Sequence, residues 1–257
     1  MYVLGIDVGS ASSKAVVFKD GVFYAGTAVQ AGTGTSGPDR VLKDILTSTG
    51  LTMNDIKRTI ATGYGRFSLD FADKQISEIS CHAKGVHYVF PKARTILDIG
   101  GQDLKAIAID NKGTVQNFYM NDKCAAGTGR FLEMMARTME MDLDQMSEAG
   151  LTYKEDITIS SMCTVFAESE VVSLIAQNKE TDDIVHGLNK AVASKTAALA
   201  KRVGGEERYM MTGGVSKNKG LVKTLEEKLG TTLVISDKAQ LCGALGAALF
   251  AMDMVQK

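Results

Sequence analysis

The sequence predicts an α/β fold made of two domains that share one plan. Short apolar runs of strand length alternate with segments of helical periodicity. Glycine is abundant, with 26 residues against 2 prolines, which suits tight turns between strands and loops. A pattern near the start of the chain also returns about ninety residues later. With 257 residues, of which 45% are hydrophobic, the chain can bury one large core or two smaller ones.

The first half of the chain opens with a meander of strands. The pair Asp20-Gly21 is a hairpin signal between the second and third of them. The predicted elements of this half are strands over 3–7, 14–18 and 22–28, a helix over 38–48, a strand over 59–62 and a helix over 74–89.

The second half restarts with a similar strand meander near residue 94. The stretch 143–157 fits neither a helical nor a strand pattern clearly. The other segments predict strands over 95–99, 104–110, 114–120, 208–212 and 232–235, and helices over 129–141, 165–177, 182–203, 221–229 and 240–252.

The internal repeat aligns Asp7 with Asp98. Each aspartate is followed by an apolar residue and a glycine, and a lysine stands seven residues after it, Lys14 or Lys105. Two copies of strand, glycine turn and strand predict two similar domains that face each other across a cleft. The predicted domains are 1–93 and 94–257, and the C-terminal helix packing back on the first domain is a second arrangement that the sequence allows.

Each repeat offers the elements of a phosphate-binding site. Glycine lets backbone N–H groups approach phosphate oxygens without a Cβ in the way. An aspartate at a strand end is suited to hold Mg²⁺, directly or through water. Gln102 could orient an attacking water, with Asp103 in support. The candidate catalytic residues are therefore Asp7, Asp98, Gln102 and Asp103.

Three glycine turns supply candidate nucleotide-binding residues. A glycine turn taken alone is equally well explained by local geometry, so the argument rests on their combination and order. The phosphate-binding candidates are Gly9, Ser10, Ala11, Ser12, Ser13, Lys14, Gly100 and Gly101. The third turn follows the strand at 208–212 and could receive an adenosine. Its candidates are Gly213, Gly214, Val215 and Asn218, and Gly127, Thr128 and Gln240 complete the nucleotide-binding set.

Two of the four cysteines stand out by position. Cys124 and Cys163 each precede a predicted helix, where a thiolate has a lowered pKa and is a better metal ligand. A cubane cluster normally takes four cysteine thiolates, which two chains related by a two-fold axis would supply. Ordinary burial stays open for both from the residues alone, and it is expected for Cys81 and Cys242.

The helices after these two cysteines carry apolar residues that we expect to be buried. On the first helix these residues are Phe131, Leu132, Met135 and Met139, and on the second they are Val165, Val172 and Ile175.

Composition and charge exclude several classes of protein. The net charge of −1 gives no electrostatic reason to expect nucleic acid or an anionic membrane as a partner. No apolar run approaches the length of a membrane span, and the N-terminus reaches Asp7 too early for a secretory signal. The chain is therefore expected in the cytoplasm. A Walker A pattern is absent, so a P-loop is not predicted.

The order of the three turns resembles the actin, Hsp70 and sugar-kinase ATPase superfamily. Segments 7–14, 98–103 and 211–218 match its two phosphate motifs and its adenosine motif. Segments 121–131 and 160–170, around the two cysteines, together with 61–66, resemble the activator component of 2-hydroxyacyl-CoA dehydratases. That family belongs with the ATPase subunits of benzoyl-CoA reductase.

The resemblance implies a specific activity. The fold would be two ribonuclease-H-like domains with a nucleotide cleft between them, binding ATP or ADP and Mg²⁺. Cys124 and Cys163 of two subunits would hold one 4Fe–4S cluster per homodimer. The chain would take an electron from ferredoxin or flavodoxin and pass it, with ATP hydrolysis, to a 2-hydroxyacyl-CoA dehydratase.

Three other functions remain open at this stage. A small-molecule kinase of the same fold would transfer a phosphoryl group and contain no iron. A redox-sensing module would bind nucleotide and cluster without turnover stimulated by an electron donor. An ATPase subunit of a benzoyl-CoA-type reductase would work with an unlike partner subunit. The sequence does not identify the acyl-CoA substrate of the partner.

Overall fold

A computed structural model of the chain describes residues 1–160 and 163–256. Ser161 and Met162, in the segment around Cys163, and Lys257 lie outside the described residues. The strands are β1 (Tyr2–Val8), β2 (Ser13–Lys19), β3 (Val22–Val29), β4 (Ile56–Thr62), β5 (Lys74–Gln75), β6 (Thr95–Ile99), β7 (Leu104–Ile109), β8 (Val115–Asn121) and β9 (Tyr209–Thr212). The helices are α1 (Gly37–Thr49), α2 (Glu78–Val89), α3 (Gly129–Thr138), α4 (Leu143–Ala149), α5 (Thr164–Ala176), α6 (Thr181–Arg202), α7 (Lys219–Leu229) and α8 (Cys242–Gln256).

The chain divides into two compact units. The first comprises Met1–Arg94, Ile109–Gln116 and Ser236–Lys257, and the second comprises Thr95–Ala108 and Asn117–Ile235. This division differs from a single cut at residue 93, because α8 returns to the first unit. There α8 packs on α2, β1 and β4.

The first unit is built on a five-stranded sheet of order β3-β2-β1-β4-β5. Strand β1 is antiparallel to β2 and parallel to β4. Gly5 allows α8 to lie directly on this central strand, because a Cβ at Gly5 would overlap the carbonyl oxygen of Ala244. The small residues of α8 therefore pack against the sheet at backbone distance.

One correction concerns α8. By length and apolar character alone, Ala239–Gln256 could cross a membrane, contrary to the expectation that no apolar run is long enough. More than half of that stretch is buried inside the protein. Ala244, Leu245 and Ala248 are fully buried in one apolar cluster with Val3 and Ile60 of the sheet. The helix owes its composition to its place in this core.

The second unit repeats the strand order of the first. Its four-stranded sheet runs β8-β7-β6-β9, with β6 antiparallel to β7 and parallel to β9. The equivalents of β1, β2, β3 and β4 are thus β6, β7, β8 and β9. The predicted internal repeat is confirmed at the level of strand pairing.

Most predicted elements are present within a few residues, with three exceptions. Residues 74–75 form the short strand β5, and α2 begins only at Glu78, where Ser77 accepts a hydrogen bond from the Ser80 N–H. The predicted strand 232–235 is reduced to a single bridge between Met210 and Val234. Helix α3 ends at Thr138, short of residue 141.

The buried face of α5 is the main error in the predicted packing. On α3, Phe131, Leu132 and Met135 are buried as expected and Met139 is half-buried. On α5 the buried residues are Ala167 and Val171. The three residues predicted to be buried are exposed instead: Val165 by 61%, Val172 by 51% and Ile175 by 43%.

Candidate functional site

The first glycine loop begins where β1 ends. Asp7 pairs with Lys14 across the β1–β2 hairpin, and Lys14 Nζ lies 3.3 Å from Asp7 Oδ2. The Gly9 N–H closes the loop by donating to Ser12 O at 3.0 Å. Asp7 is buried, whereas Gly9, Ser10, Ala11 and Ser12 are half-buried. A carboxylate, which is able to bind a cation, and an ammonium, which is able to bind a phosphate, thus lie side by side at a loop.

Ser13 differs from the other members of this loop. It is fully buried, and its hydroxyl donates to Ala31 O at 2.8 Å. The sequence suggested this hydroxyl as a phosphate donor, but in the structure it holds two segments of the first unit together.

Two glycines that the sequence reasoning missed flank the Asp7 carboxylate. A Cβ at Gly63 would overlap Asp7 Oδ1, and one at Gly243 would lie 2.8 Å from Asp7 Oδ2. Gly63 follows β4, and the Gly65 N–H donates to Val8 O at 2.8 Å. The glycine turn at 63–65 was the sequence feature that could have indicated Gly63. In the structure it lies beside Asp7, because Thr62 pairs with Asp7 in the parallel ladder.

The second unit presents the equivalent arrangement around Asp98. Asp98 pairs with Lys105 across the β6–β7 hairpin, and Lys105 Nζ lies 3.0 Å from Asp98 Oδ2 and 2.8 Å from Asp103 Oδ2. The Thr212 hydroxyl donates to Asp98 Oδ1 at 2.7 Å. Lys105 and Thr212 were not among the candidate site residues, although the repeat aligned Lys105 with Lys14.

The remaining residues of this loop differ in how firmly the unit holds them. The Gly100 N–H donates to Asp103 O at 2.9 Å, and a Cβ at Gly100 would overlap Asp103 Oδ1. Gly101 is half-buried and Gln102 is exposed. Asp103 is thus held by Lys105 inside the unit, while the Gln102 side chain reaches solvent.

The third glycine loop lies directly against the end of β6. Gly213 has φ +85°, and a Cβ there would overlap Ile99 O. Gly214 is exposed, but Val215 is buried and belongs to the core of the second unit. Asn218 caps α7, because its Oδ1 accepts from the Leu221 N–H at 2.8 Å. Of the predicted adenosine contacts, Gly214 is exposed and Gly213 is half-buried, whereas Val215 and Asn218 have structural roles.

The remaining nucleotide-binding candidates lie in two places. Gly127 and Thr128 are buried, and Thr128 Oγ1 donates to Ala125 O at 2.6 Å. Gln240 is half-buried in the 3₁₀ turn Ala239–Leu241 of the first unit, which packs against β2 and β3.

The cysteines fall into two pairs. Cys124 and Cys163 are exposed, whereas Cys81 and Cys242 are buried, as expected. Burial raises the pKa of the Cys81 thiol to about 12.

The two exposed cysteines stand differently toward their helices. Cys163 is the N-cap residue of α5. Cys124 lies in a loop four residues before Thr128, the N-cap of α3. Helix α3 begins at Gly129, as predicted, so Cys124 precedes the helix but does not cap it. Within residues 1–160 and 163–256, no group of three or more His, Cys, Asp or Glu side chains could hold a metal ion.

Two units with one strand order, each carrying an Asp–Lys pair beside a glycine loop, define a nucleotide-binding protein of the actin-like ATPase and sugar-kinase fold. A ROK family glucokinase from Streptomyces griseus, in complex with glucose and AMPPNP, shares this fold with a TM-score of 0.58. It is 13% identical and covers 98% of this chain and 100% of its own, so the likeness concerns the fold alone.

The chain belongs to the BadF/BadG/BcrA/BcrD ATPase family, which it matches over residues 4–251. It is 54% identical, over 100% of both chains, to an activator of lactoyl-CoA dehydratase from Anaerotignum propionicum. An activator of the 2-hydroxyisocaproyl-CoA dehydratase from Clostridium difficile, solved with bound ADPNP, has a TM-score of 0.96 at 47% identity, covering 100% of this chain and 96% of that one.

A third relative carries the name of an ATPase. Component A of the (R)-2-hydroxyglutaryl-CoA dehydratase of Acidaminococcus fermentans has a TM-score of 0.96 at 49% identity over 100% of both chains. The protein of that organism is described as the (R)-2-hydroxyglutaryl-CoA dehydratase activating ATPase.

Proposed function

We propose that this chain is an ATP-dependent activator of a 2-hydroxyacyl-CoA dehydratase. It would take one low-potential electron from ferredoxin or flavodoxin and pass it to the dehydratase, with hydrolysis of ATP. The names of three relatives with 47–54% identity support the partner. The observation that carries the electron-transfer part is the exposure of Cys124 and Cys163 in a chain whose other two cysteines are buried.

The nucleotide would bind through the glycine loops. Asp7 and Asp98 would hold Mg²⁺, directly or through water. Lys14 lies within 3.3 Å of its aspartate and can offer its ammonium to a phosphate oxygen. Lys105 is held between Asp98 and Asp103, so it would position carboxylates. The exposed Gln102 would orient the attacking water, with Asp103 in support.

The residues present fit a 4Fe–4S cluster shared by two copies of the chain. Such a cluster normally takes four thiolates, and one chain offers two exposed ones, Cys124 and Cys163. Cys163 caps α5, where the positive end of the helix favours an anionic group. The cluster would supply a site that stores one electron.

The exposed face of α5 supports the homodimer. Val165, Phe166, Val172 and Ile175 are between 43% and 66% exposed, and the same helix begins at Cys163. Four exposed apolar side chains on one helix favour an interaction with another protein surface. A second copy of the chain, placed by the shared cluster, would cover this face with its own α5.

The energetics are consistent with coupling to ATP. Lowering a one-electron potential by ~300 mV takes roughly 7 kcal/mol, since 59 mV corresponds to a tenfold change in equilibrium constant. ATP can supply this through different affinities for the two states of the protein.

The deciding experiment is iron and sulfide analysis of anaerobically purified protein, with an EPR spectrum after dithionite reduction. We expect about two irons and two sulfides per chain in a dimer. Cys124→Ser and Cys163→Ser should each abolish iron binding, while Cys242→Ala, at a buried position, should retain it. ATP hydrolysis by an iron-free anaerobic preparation would contradict the proposal and favour a kinase of this fold. Full iron content without dehydratase activation would favour a redox sensor.

A further inference from the structure

The loop that carries Cys124 is bonded directly to the second phosphate-binding loop. The Gly129 N–H donates to Gly100 O at 2.9 Å, and the Arg130 N–H donates to Gly101 O at 2.8 Å. The two peptide groups proposed to approach phosphate therefore hold the first turn of α3. A shift of these peptides on nucleotide exchange would reach residue 129 without passing through a side chain.

The carbonyl groups between Cys124 and Thr128 are also fixed. Asn121 Nδ2 donates to Cys124 O at 2.7 Å, and Thr128 Oγ1 donates to Ala125 O at 2.6 Å. Lys195 Nζ donates to Ala126 O at 2.7 Å. Three successive carbonyls thus have side-chain donors, so the loop can move as one body.

Lys195 is the donor that comes from farthest away in the sequence. It lies in α6, a helix of 22 residues whose other face is buried in the core of the second unit. Its stem covers Gly127, which has φ +83°, and a Cβ there would lie 2.9 Å from Lys195 Cδ. A glycine backbone can rotate more freely than that of a residue with a Cβ. Lys195 restrains this rotation, because its stem packs beside Gly127 and its Nζ holds the preceding carbonyl, Ala126 O.

The charge of Lys195 has no acidic partner among the described residues. A hydrogen bond from an ammonium group to a carbonyl is stronger than one between neutral groups. The ammonium is therefore available to the loop. Without it, buried Ala126 O would keep, among the described residues, only the 3.4 Å contact to Asn121 Nδ2.

We propose that Lys195 is a positioning residue that makes the Cys124 loop follow the nucleotide-dependent position of Gly100 and Gly101. The consequence for electron transfer rests on the proposed function, because it assumes that Cys124 is a cluster ligand. The mechanical link itself requires only that nucleotide binds at the second glycine loop. Without Lys195, rotation at Gly127 absorbs the shift before it reaches Cys124.

The test uses the thiol of Cys124 as a reporter in cluster-free protein. The full chain is pulsed with N-ethylmaleimide in the presence of Mg-ADP or Mg-ADPNP, and the modified peptides are quantified by mass spectrometry. In the natural sequence, the Cys124 rate should differ between the nucleotides by about fivefold or more, the lower range of typical allosteric coupling. Cys81, buried and with a pKa raised to about 12, should stay unmodified and reports on unfolding.

Lys195→Met should bring the ratio of the two Cys124 rates close to one while nucleotide affinity is retained. Lys201→Met is the matched control, since Lys201 is an exposed lysine in the last turn of the same helix, and it should keep the natural ratio. Lys195→Arg retains a charged donor and should restore part of the difference between the two Cys124 rates. If Lys195→Met does not fold, Asn121→Ala, which removes the donor to Cys124 O, replaces it with the same expectation.

A Lys195→Met protein that keeps the full ratio would overturn the inference, as would equal Cys124 rates in the natural sequence with either nucleotide. Iron analysis separates this result from the proposed function. Nucleotide-dependent Cys124 rates in a chain that never binds iron would leave the positioning role intact and remove the electron-transfer function. Full iron binding with nucleotide-independent Cys124 rates would leave the proposed electron-transfer function intact and remove the positioning role of Lys195.

Discussion

Thr212 and Asp98 lie side by side in parallel strands, and the Thr212 hydroxyl donates to Asp98 Oδ1 at 2.7 Å. Lys105 holds the other carboxylate oxygen at 3.0 Å. Both oxygens of this buried aspartate therefore have fixed partners, which sets the direction in which the carboxylate can meet a cation. In the first unit, the equivalent Thr62 pairs with Asp7 in the ladder, but its hydroxyl donates to Ile76 O.

This difference between the repeats predicts unequal effects of one substitution. Thr212→Val removes a hydrogen bond to a charged group, worth about 1.5–3 kcal/mol, so kcat for ATP hydrolysis should fall by about tenfold or more. Thr62→Val, the matched control, removes no bond to Asp7 and should leave kcat within about twofold. Steady-state ATPase assays with excess Mg²⁺ decide it. Equal losses in both variants would show that the Asp98 bond has no special role.

Lys105 and Lys14 should differ in their importance for stability. Lys105 is 3% exposed and lies between Asp98 and Asp103, whereas Lys14 is 12% exposed and meets Asp7 at 3.3 Å. Removing one partner of a buried ion pair costs about 3–5 kcal/mol, because it leaves charge uncompensated. We expect Lys105→Met to lose about that much free energy of unfolding in urea titrations. Lys14→Met should lose less, and the reverse order would contradict this account.

Gly63 should be required for the shape of the Asp7 site rather than for its backbone angle alone. It has φ +87°, and a Cβ there would overlap Asp7 Oδ1. Gly21 has φ +84° with open space around it, so Gly21→Ala measures the backbone strain of about 1 kcal/mol alone. Gly63→Ala should lose ATPase activity by more than about tenfold, while Gly21→Ala keeps it. If both variants lose stability only, Asp7 is not displaced by the new methyl group.

The strand framework of both units could be predicted because it leaves a strong local signal. The segments 3–28 and 95–120 carry apolar runs separated by glycine turns, and the repeat places a lysine seven residues after each aspartate. That Asp7 pairs with Lys14 and Asp98 with Lys105 became visible only in the structure. A short strand such as β5 has two residues and no pattern of its own. Its place is set by the neighbouring strand, which periodicity does not reveal.

The site was predicted less completely, because residue type does not tell whether a polar side chain binds a ligand or bonds to the protein's own backbone. Ser13 and Asn218 stand next to glycine turns, as ligand-binding residues do, yet Ser13 bonds to Ala31 O and Asn218 caps α7. Serine and asparagine satisfy backbone groups in turns and caps as readily as they bind ligands. Lys195 was missed because α6 brings it to the Cys124 loop from 69 residues away.

The buried face of α5 is the error in the predicted packing with the clearest functional meaning. The helix has apolar residues on two faces, and the face on Ala167 and Val171 is buried within the unit. The other face includes Phe166, which is 66% exposed. A sequence pattern shows that both faces are apolar, but it does not show which is covered by the same chain and which by another.

The proposed homodimer predicts the outcome of placing a charge on that exposed face. Burying one phenylalanine contributes at least about 1.5 kcal/mol, and a two-fold interface counts it twice. Phe166→Asp should therefore raise the dimer dissociation constant by about two orders of magnitude or more. Because a shared cluster requires both copies, iron per chain should fall with the dimer. Light scattering and iron analysis on anaerobic protein measure the two together.

Val22→Asp is the matched control for this charge, since Val22 is a 65% exposed apolar residue on β3 of the first unit. It should leave both the dimer and the iron content unchanged. A Phe166→Asp protein that remains a dimer with full iron would place the dimer contact elsewhere than on α5. A Phe166→Asp monomer that still binds its full iron would show that each chain holds its cluster alone, against the need for thiolates from two copies.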